Sequence, residues 1–143
     1  MSDNPLLGPV IALVGWTLVV MIWMAIKRFA GFKHHNIDVN RRPGARGPDL
    51  DGTVEPHFQW PAHNYMHLLE QPTAFYAIML VLVALDDRAP LNLTLAWAYV
   101  VIRVAHSIWQ ITVNKVPVRL MLFMASSLCL AALTLHAAIR FWH

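Results

Sequence analysis

The chain has 143 residues, of which 57% are apolar and 13% are charged, and its mean hydropathy is +0.48. Soluble domains hold about 25% charged residues, so this composition excludes an ordinary soluble domain and indicates a single membrane domain over residues 1–143. The formal net charge of +3 is small, which argues against a nucleic-acid partner, and the single Cys129 excludes a disulfide within the chain.

Four apolar stretches, at residues 6–26, 61–85, 91–111 and 117–141, are each long enough to cross a bilayer as a helix. Residues 27–60 are rich in Gly, Pro and charge, and we predict that they form a long cytoplasmic loop. The joins after the second and third stretches are short, so consecutive helices should be antiparallel. The sequence therefore predicts an all-α integral membrane protein whose four transmembrane helices form an antiparallel bundle.

The distribution of basic residues predicts the orientation of this bundle. Most of the Lys and Arg residues lie in residues 27–60 and 112–119, which fall on the same side of the membrane. Because basic loops stay in the cytoplasm, both termini should be non-cytoplasmic. The chain carries no endoplasmic-reticulum retrieval signal, so we expect a bacterial inner membrane, with membrane lipids as partners.

Polar side chains interrupt the second and third spans. On a helix, His63, His67 and Glu70 fall at about 0°, 40° and −20°, which is one narrow stripe, and Asn64 lies beside it. Pro72 follows inside the same helix and should bend its axis. Ionisable groups within a membrane normally face the interior of a bundle, so the stripe is a candidate functional site.

The third span carries a matching stripe that includes Arg103, His106 and Gln110. With a rise of ~1.5 Å per residue, Arg103 and Glu70 lie at similar depths, and His106 lies at the depth of His67. We therefore predict that Glu70 is opposite Arg103 and that His67 is near His106. Gln110 and His63 should lie near the cytoplasmic mouth.

Three interpretations of these stripes remain open. Glu70 and Arg103 could form a structural ion pair, or the stripes could line a cytoplasm-facing pocket for a charged ligand. A metal site is the third interpretation, with His63, His67, Glu70 and His106 as ligands. The cationic Arg103 at the same depth argues against a metal, so we expect none.

Two segments carry a resemblance to a known family: HNYMHLLEQPTAFY in the second span and RVAHSIWQITVNKVPVR at the end of the third. They resemble the MAPEG superfamily, the membrane-associated proteins in eicosanoid and glutathione metabolism. The resemblance implies a homotrimer of four-helix protomers. It also implies glutathione bound between protomers near the cytoplasmic side and a lipophilic small-molecule substrate that enters from the bilayer.

The same resemblance implies roles for four residues. Arg119 matches the family's arginine at the start of the fourth helix, which is proposed to stabilise the glutathione thiolate. Glu70 matches the acidic residue of the second-helix motif, Arg103 the third-helix arginine, and His106 the family's His or Tyr.

The chain departs from the family pattern at three positions. His63 stands where the pattern has Arg, His67 where it has Asn, and Gln110 where some members have Tyr, while Asn64 lies one turn before the motif Asn. A neutral His cannot offer the bidentate fork of Arg, so carboxylate binding is weakened. We expect a divergent member: a glutathione-dependent transferase or peroxidase, or alternatively a non-catalytic lipid-binding or accessory subunit.

Overall fold

A computed structural model describes residues 3–38, 40 and 43–142. In this part of the chain, four long helices run in the order α1 (Leu7–His34), α2 (Pro56–Ala84), α3 (Pro90–Thr112) and α4 (Val116–Trp142). All four are long and apolar enough to cross a membrane, which confirms the predicted all-α class and the four spans.

The four helices form two antiparallel hairpins. α1 packs mainly against α2, and α3 packs mainly against α4. The tight turn after α2 is closed by Asp86, which has φ of 50°, and by the backbone N–H of Asp87, which donates to the carbonyl of Leu82 at 2.9 Å. Asn4 donates to the carbonyl of Asp87 at 3.0 Å, so the start of the chain lies at this end of the bundle.

The apolar core has two parts separated by a polar layer. The larger part surrounds Phe75 and Tyr99, whose rings stack 4.3 Å apart with an angle of 8°. The smaller part contains Val20, Leu68 and Ile111. Buried polar side chains lie between the two parts, and they form the candidate site described below.

The outer faces of α1 and α4 are apolar. Ile11, Ile22, Met121 and Leu128, for example, are all exposed in the single chain. Such faces are unfavourable in water and favourable against lipid acyl chains, so the burial pattern agrees with an integral membrane protein.

The segment between α1 and α2 is shorter than predicted. α1 continues past its apolar stretch to His34, and α2 begins at Pro56, so the connection covers residues 35–55 rather than 27–60. Pro56 suits the first turn of α2 because its fixed φ is helical and its missing N–H is not needed there. Gly47–Leu50 forms a short 3-10 helix within this connection.

Candidate functional site

Arg103 lies at the centre of the polar layer. It is only 1% exposed, and its guanidinium reaches from α3 to α2. Nη2 donates to the backbone carbonyl oxygen of His67 at 3.1 Å and lies 3.1 Å from Nδ1 of the same residue. Nη1 lies 3.5 Å from Oε1 of Gln71. A guanidinium buried in this way requires such acceptors, because an uncompensated buried charge is strongly destabilising.

The contact with Arg103 fixes the tautomer of His67. An arginine side chain has only donors, so Nδ1 of His67 must be the acceptor in this contact. The neutral ring then carries its proton on Nε2. Arg103 is therefore a positioning residue that fixes both the place and the hydrogen-bonding character of the His67 ring.

His67 meets His106 and Phe123 at a cleft between α2, α3 and α4. The ring centroids of His67 and His106 are 5.0 Å apart, and those of His67 and Phe123 are 5.7 Å apart. This confirms the prediction that His67 and His106 lie at the same depth. The cleft has a volume of about 220 Å³ and its remaining lining residues are Val116, Arg119 and Leu120.

Arg119 lies in this cleft, in the first turn of α4. Its Nη1 donates to Oδ1 of Asn114 at 2.8 Å, while its buried Nε has no hydrogen-bond partner among the described residues. Asn114 has φ of 57°, a conformation that asparagine adopts more readily than most residues. The turn between α3 and α4 therefore presents the amide that orients the Arg119 guanidinium.

Two further predicted residues, Asn64 and Gln110, are buried beside the cleft residues. Asn64 donates to the hydroxyl of Ser107. Gln110 is 2% exposed, and Oε1 of Gln110 and Oδ1 of Asn64 have no hydrogen-bond partner in the described part of the chain. Both side chains therefore lie in the buried polar layer. Gln110 was predicted to lie near the cytoplasmic mouth of the pocket, and its burial does not agree with that prediction.

The predicted pairing of Glu70 with Arg103 is wrong within one chain. Glu70 is exposed, and no hydrogen bond or ion pair joins it to Arg103 in the described structure. The buried face of α2 passes through Asn64, Leu68 and Phe75. On a helical wheel centred on Leu68, Glu70 lies at about −160°, well outside that face. Gln71, which sequence reasoning missed, lies at about −60° on the same wheel and takes the place expected for Glu70.

His63 also lies away from the cleft. Its Nε2 is 3.0 Å from Oδ1 of Asp51 in the connection between α1 and α2. The side-chain amide of Gln59 donates to the same oxygen at 3.0 Å. The bond from Gln59, followed by the contact with His63, lowers the pKa of Asp51 below its ordinary value, although burial opposes the shift. The metal ligands considered from the sequence therefore do not converge, because His63 and Glu70 face away from His106.

Gln71 links three helices at the polar layer. Its Nε2 donates to the hydroxyl of Ser127 on α4 at 2.7 Å, and the hydroxyl of Tyr99 donates to its Oε1 at 3.4 Å. The sequence signal that could have found it is its position four residues after His67, on the same helical face.

The fold and this site define an integral membrane protein with a polar cleft between its second, third and fourth helices. A family model described as the MAPEG family matches residues 6–139, which is nearly the whole chain. The chain therefore belongs to the MAPEG family, a membrane superfamily of glutathione and eicosanoid metabolism. Neither curated proteins nor solved structures give a significant match.

Proposed function

We propose that the chain is a glutathione-dependent transferase or peroxidase that acts on a lipophilic electrophile at the cleft of His67, His106 and Arg119. The observation that carries the proposal is the placement of Arg119. Its guanidinium lies in the cleft, is oriented by Asn114, and retains an unpartnered Nε. Family membership supports glutathione as the cosubstrate.

The residues that line the cleft suit the thiol group of glutathione. Bound glutathione would supply a thiol, whose ionised form is the nucleophile. A fixed positive charge within a few ångströms favours that ionised form, and Arg119 provides such a charge. Val116, Leu120 and Phe123 line the same space with apolar side chains, which suits a lipophilic electrophile.

His67 has a distinct role in this proposal. Its tautomer leaves Nε2–H as a donor, held in place by Arg103. A neutral imidazole can donate a hydrogen bond to an anionic or carbonyl group without adding a second full charge beside Arg119. His106, which is buried against His67, completes this wall of the cleft.

The outer face of α2 supports assembly with other protomers, and we propose the trimer that is typical of the family. Glu70 and His63 are exposed on the same side of a helix that crosses the membrane. A carboxylate facing acyl chains is strongly unfavourable, so this face should be covered by a neighbouring protomer or by a polar ligand at the boundary between protomers. Glu70 and His63 keep their proposed ligand-binding roles only in that assembled form, whereas Asn64 and Gln110 lie in the buried polar layer of the single chain and would contribute from there.

A non-catalytic lipid-binding role is the second candidate. The observation that favours it is the composition of the cleft, in which Val116, Leu120 and Phe123 accompany a single cationic side chain. Such a lining accommodates an acyl chain with an anionic head group. Native mass spectrometry that shows a retained lipid, together with no thiol transfer, would support this role over catalysis.

Turnover measurements on matched arginine variants test the proposal. Arg119→Ala should lower the rate of conjugation or peroxide reduction by about 10²-fold, which is typical for loss of one preorganised electrostatic contact. Arg140→Ala is the control, because Arg140 is exposed at the far end of the same helix. Equal turnover in Arg119→Ala and in the unmodified protein would reject the assigned role.

A further inference from the structure

A second cluster of titratable side chains lies far along α2 from the cleft, where α1 ends and α2 begins. His34 is the last residue of α1, His35 follows it, and Glu55 immediately precedes α2. One potential ligand atom from each of these residues lies within 4.8 Å of the others. Among the described residues, no other group of three or more His, Cys, Asp or Glu side chains is close enough to share a metal ion.

The end of α1 places the two histidines on the same side. Asn36 has φ of 51°, and the backbone N–H of Ile37 donates to the carbonyl of Phe32 at 2.9 Å. This is a Schellman ending, which turns the chain sharply after His35. The turn allows two consecutive histidines to approach one carboxylate.

The distances are close to those of a metal site. Nε2 of His34 lies 3.8 Å from Oε1 of Glu55, and Nε2 of His35 lies 3.5 Å from Oε2. Tetrahedral zinc with bonds of about 2.1 Å separates its ligand atoms by roughly 3.4 Å. Small side-chain adjustments would therefore bring all three residues into one coordination shell.

The Nε2 atom of His35 gives independent support. It is inaccessible to solvent and has no hydrogen-bond partner among the residues that the structure describes. Oε2 of Glu55 lies 3.5 Å from this atom without forming a hydrogen bond, and a buried polar atom that lacks a hydrogen bond is unfavourable. A metal ion bound between His35 and Glu55 would satisfy it.

Phe58 holds the two imidazoles in place. Its ring centroid is 5.9 Å from that of His34 and 6.0 Å from that of His35. Gly31 favours this close packing, because a Cβ at that position would lie 3.3 Å from Cγ of Phe58 and the ring would have to shift by a few tenths of an ångström. An apolar support of this kind limits the motion of the ligands and favours a preorganised site.

We propose that His34, His35 and Glu55 bind a divalent transition-metal ion of the Zn²⁺ class and that the ion fastens α1 to α2 across the connection. Two imidazoles and a carboxylate suit zinc and its neighbours, whereas Mg²⁺ and Ca²⁺ prefer oxygen ligands throughout. The exposed setting of Glu55 leaves the fourth position to water. The site is separate from the cleft, so it stands or falls independently of glutathione chemistry.

Calorimetric titration of ZnCl₂ into the full chain tests the proposal. The protein is purified in detergent, freed of any affinity tag and treated with a chelator before the titration. We expect saturable binding of one ion per chain. His35→Ala and Glu55→Gln should each weaken it by at least about tenfold, which is the lower range seen even for residues that only support a metal ligand.

His57→Ala is the matched control. His57 is an exposed histidine whose ring contacts Phe58, but it is not one of the three proposed ligands. It should keep the affinity of the unmodified protein. A chain that binds no zinc, or in which His35→Ala and Glu55→Gln bind as tightly as His57→Ala, would overturn the proposal.

A second measurement separates loss of ligands from loss of fold. Zn²⁺ should raise the thermal midpoint of the unmodified protein and of His57→Ala, since a ligand that binds only the folded state stabilises it. The same Zn²⁺ concentration should raise the midpoint of His35→Ala much less, although that variant elutes at the same size in detergent. An equal rise in His35→Ala would contradict the assignment.

Discussion

The guanidinium of Arg103 and the main-chain carbonyl oxygen of His67 are joined across α3 and α2 by a hydrogen bond of 3.1 Å. Nη2 of the same arginine also contacts Nδ1 of His67. Arg103 therefore holds both the main chain and the imidazole ring of His67. The most deeply buried cation of the polar layer therefore serves to hold a histidine of the cleft.

Replacing Arg103 tests this positioning role. Arg103→Met keeps an unbranched side chain but removes the guanidinium, which leaves the His67 carbonyl and Gln71 without their cationic donor. We expect a loss of about 2 kcal/mol in stability, as for a buried hydrogen bond to a charged group. Thermal unfolding in detergent measures the loss, and the ¹⁵N shift of His67 Nδ1 should change because this atom loses the donor that Arg103 provides.

Arg88→Met is the control for that variant. Arg88 lies in the turn between α2 and α3 and forms an exposed ion pair with Asp86 at 3.1 Å. Exposed pairs contribute about 0–1 kcal/mol, so this substitution should have little effect. An equally small effect for Arg103→Met, with unchanged His67 shifts, would reject the positioning role.

Gln71 and Ser127 should be energetically coupled. The Gln71 amide donates to the Ser127 hydroxyl at 2.7 Å and connects α2 to α4. In a double-mutant cycle of Gln71→Met and Ser127→Ala, we expect a coupling energy of about 1 kcal/mol. Additive effects on unfolding would show that this bond does not contribute to helix association.

The attachment of the connection to α2 should weaken in acid. Because hydrogen bonding by Gln59 and the contact with His63 hold the pKa of Asp51 below its ordinary 3.8, the carboxylate stabilises the attachment above that value. The stabilisation is lost as the pH falls through the lowered pKa. A nitroxide at Thr53, in a Cys129→Ser background, should become more mobile only in that acidic range.

Asp51→Asn provides the comparison for the acid response. The amide cannot ionise, so the nitroxide should show no pH dependence between neutral and acidic conditions. If the label in the Asp51→Asn chain responds to acid as strongly as it does with Asp51 present, the attachment does not depend on the Asp51 carboxylate.

The sequence predicted the spans and one contact of the site correctly. Hydropathy located the four helices correctly. Whether a stretch is long and apolar enough to span a membrane depends only on its own residues and not on how the helices pack. The depth of each residue along two antiparallel helices predicted that His67 lies near His106, and their ring centroids are 5.0 Å apart. Depth needs only the helical rise, and all helices share it.

The rotation of each helix about its axis could not be predicted in the same way. Glu70 and Gln71 are neighbours in sequence, yet they face about 100° apart, and packing against α3 selected Gln71. The bond between Asn114 and Arg119 was not predicted either, because it depends on a positive φ in the turn. Glu55 approaches His35 because α1 continues to His34. The end of the apolar stretch predicted instead that the first helix stops near residue 26.

Calorimetric titration of glutathione in buffers of different ionisation enthalpy tests the role of Arg119 most directly. If Arg119 promotes ionisation of the bound thiol, binding to the unmodified protein and to Arg140→Ala should release protons, so the observed heat should change with the buffer. Arg119→Ala should bind without this release. No saturable heat at millimolar glutathione, or the same proton release with and without Arg119, would contradict the proposed chemistry of the cleft.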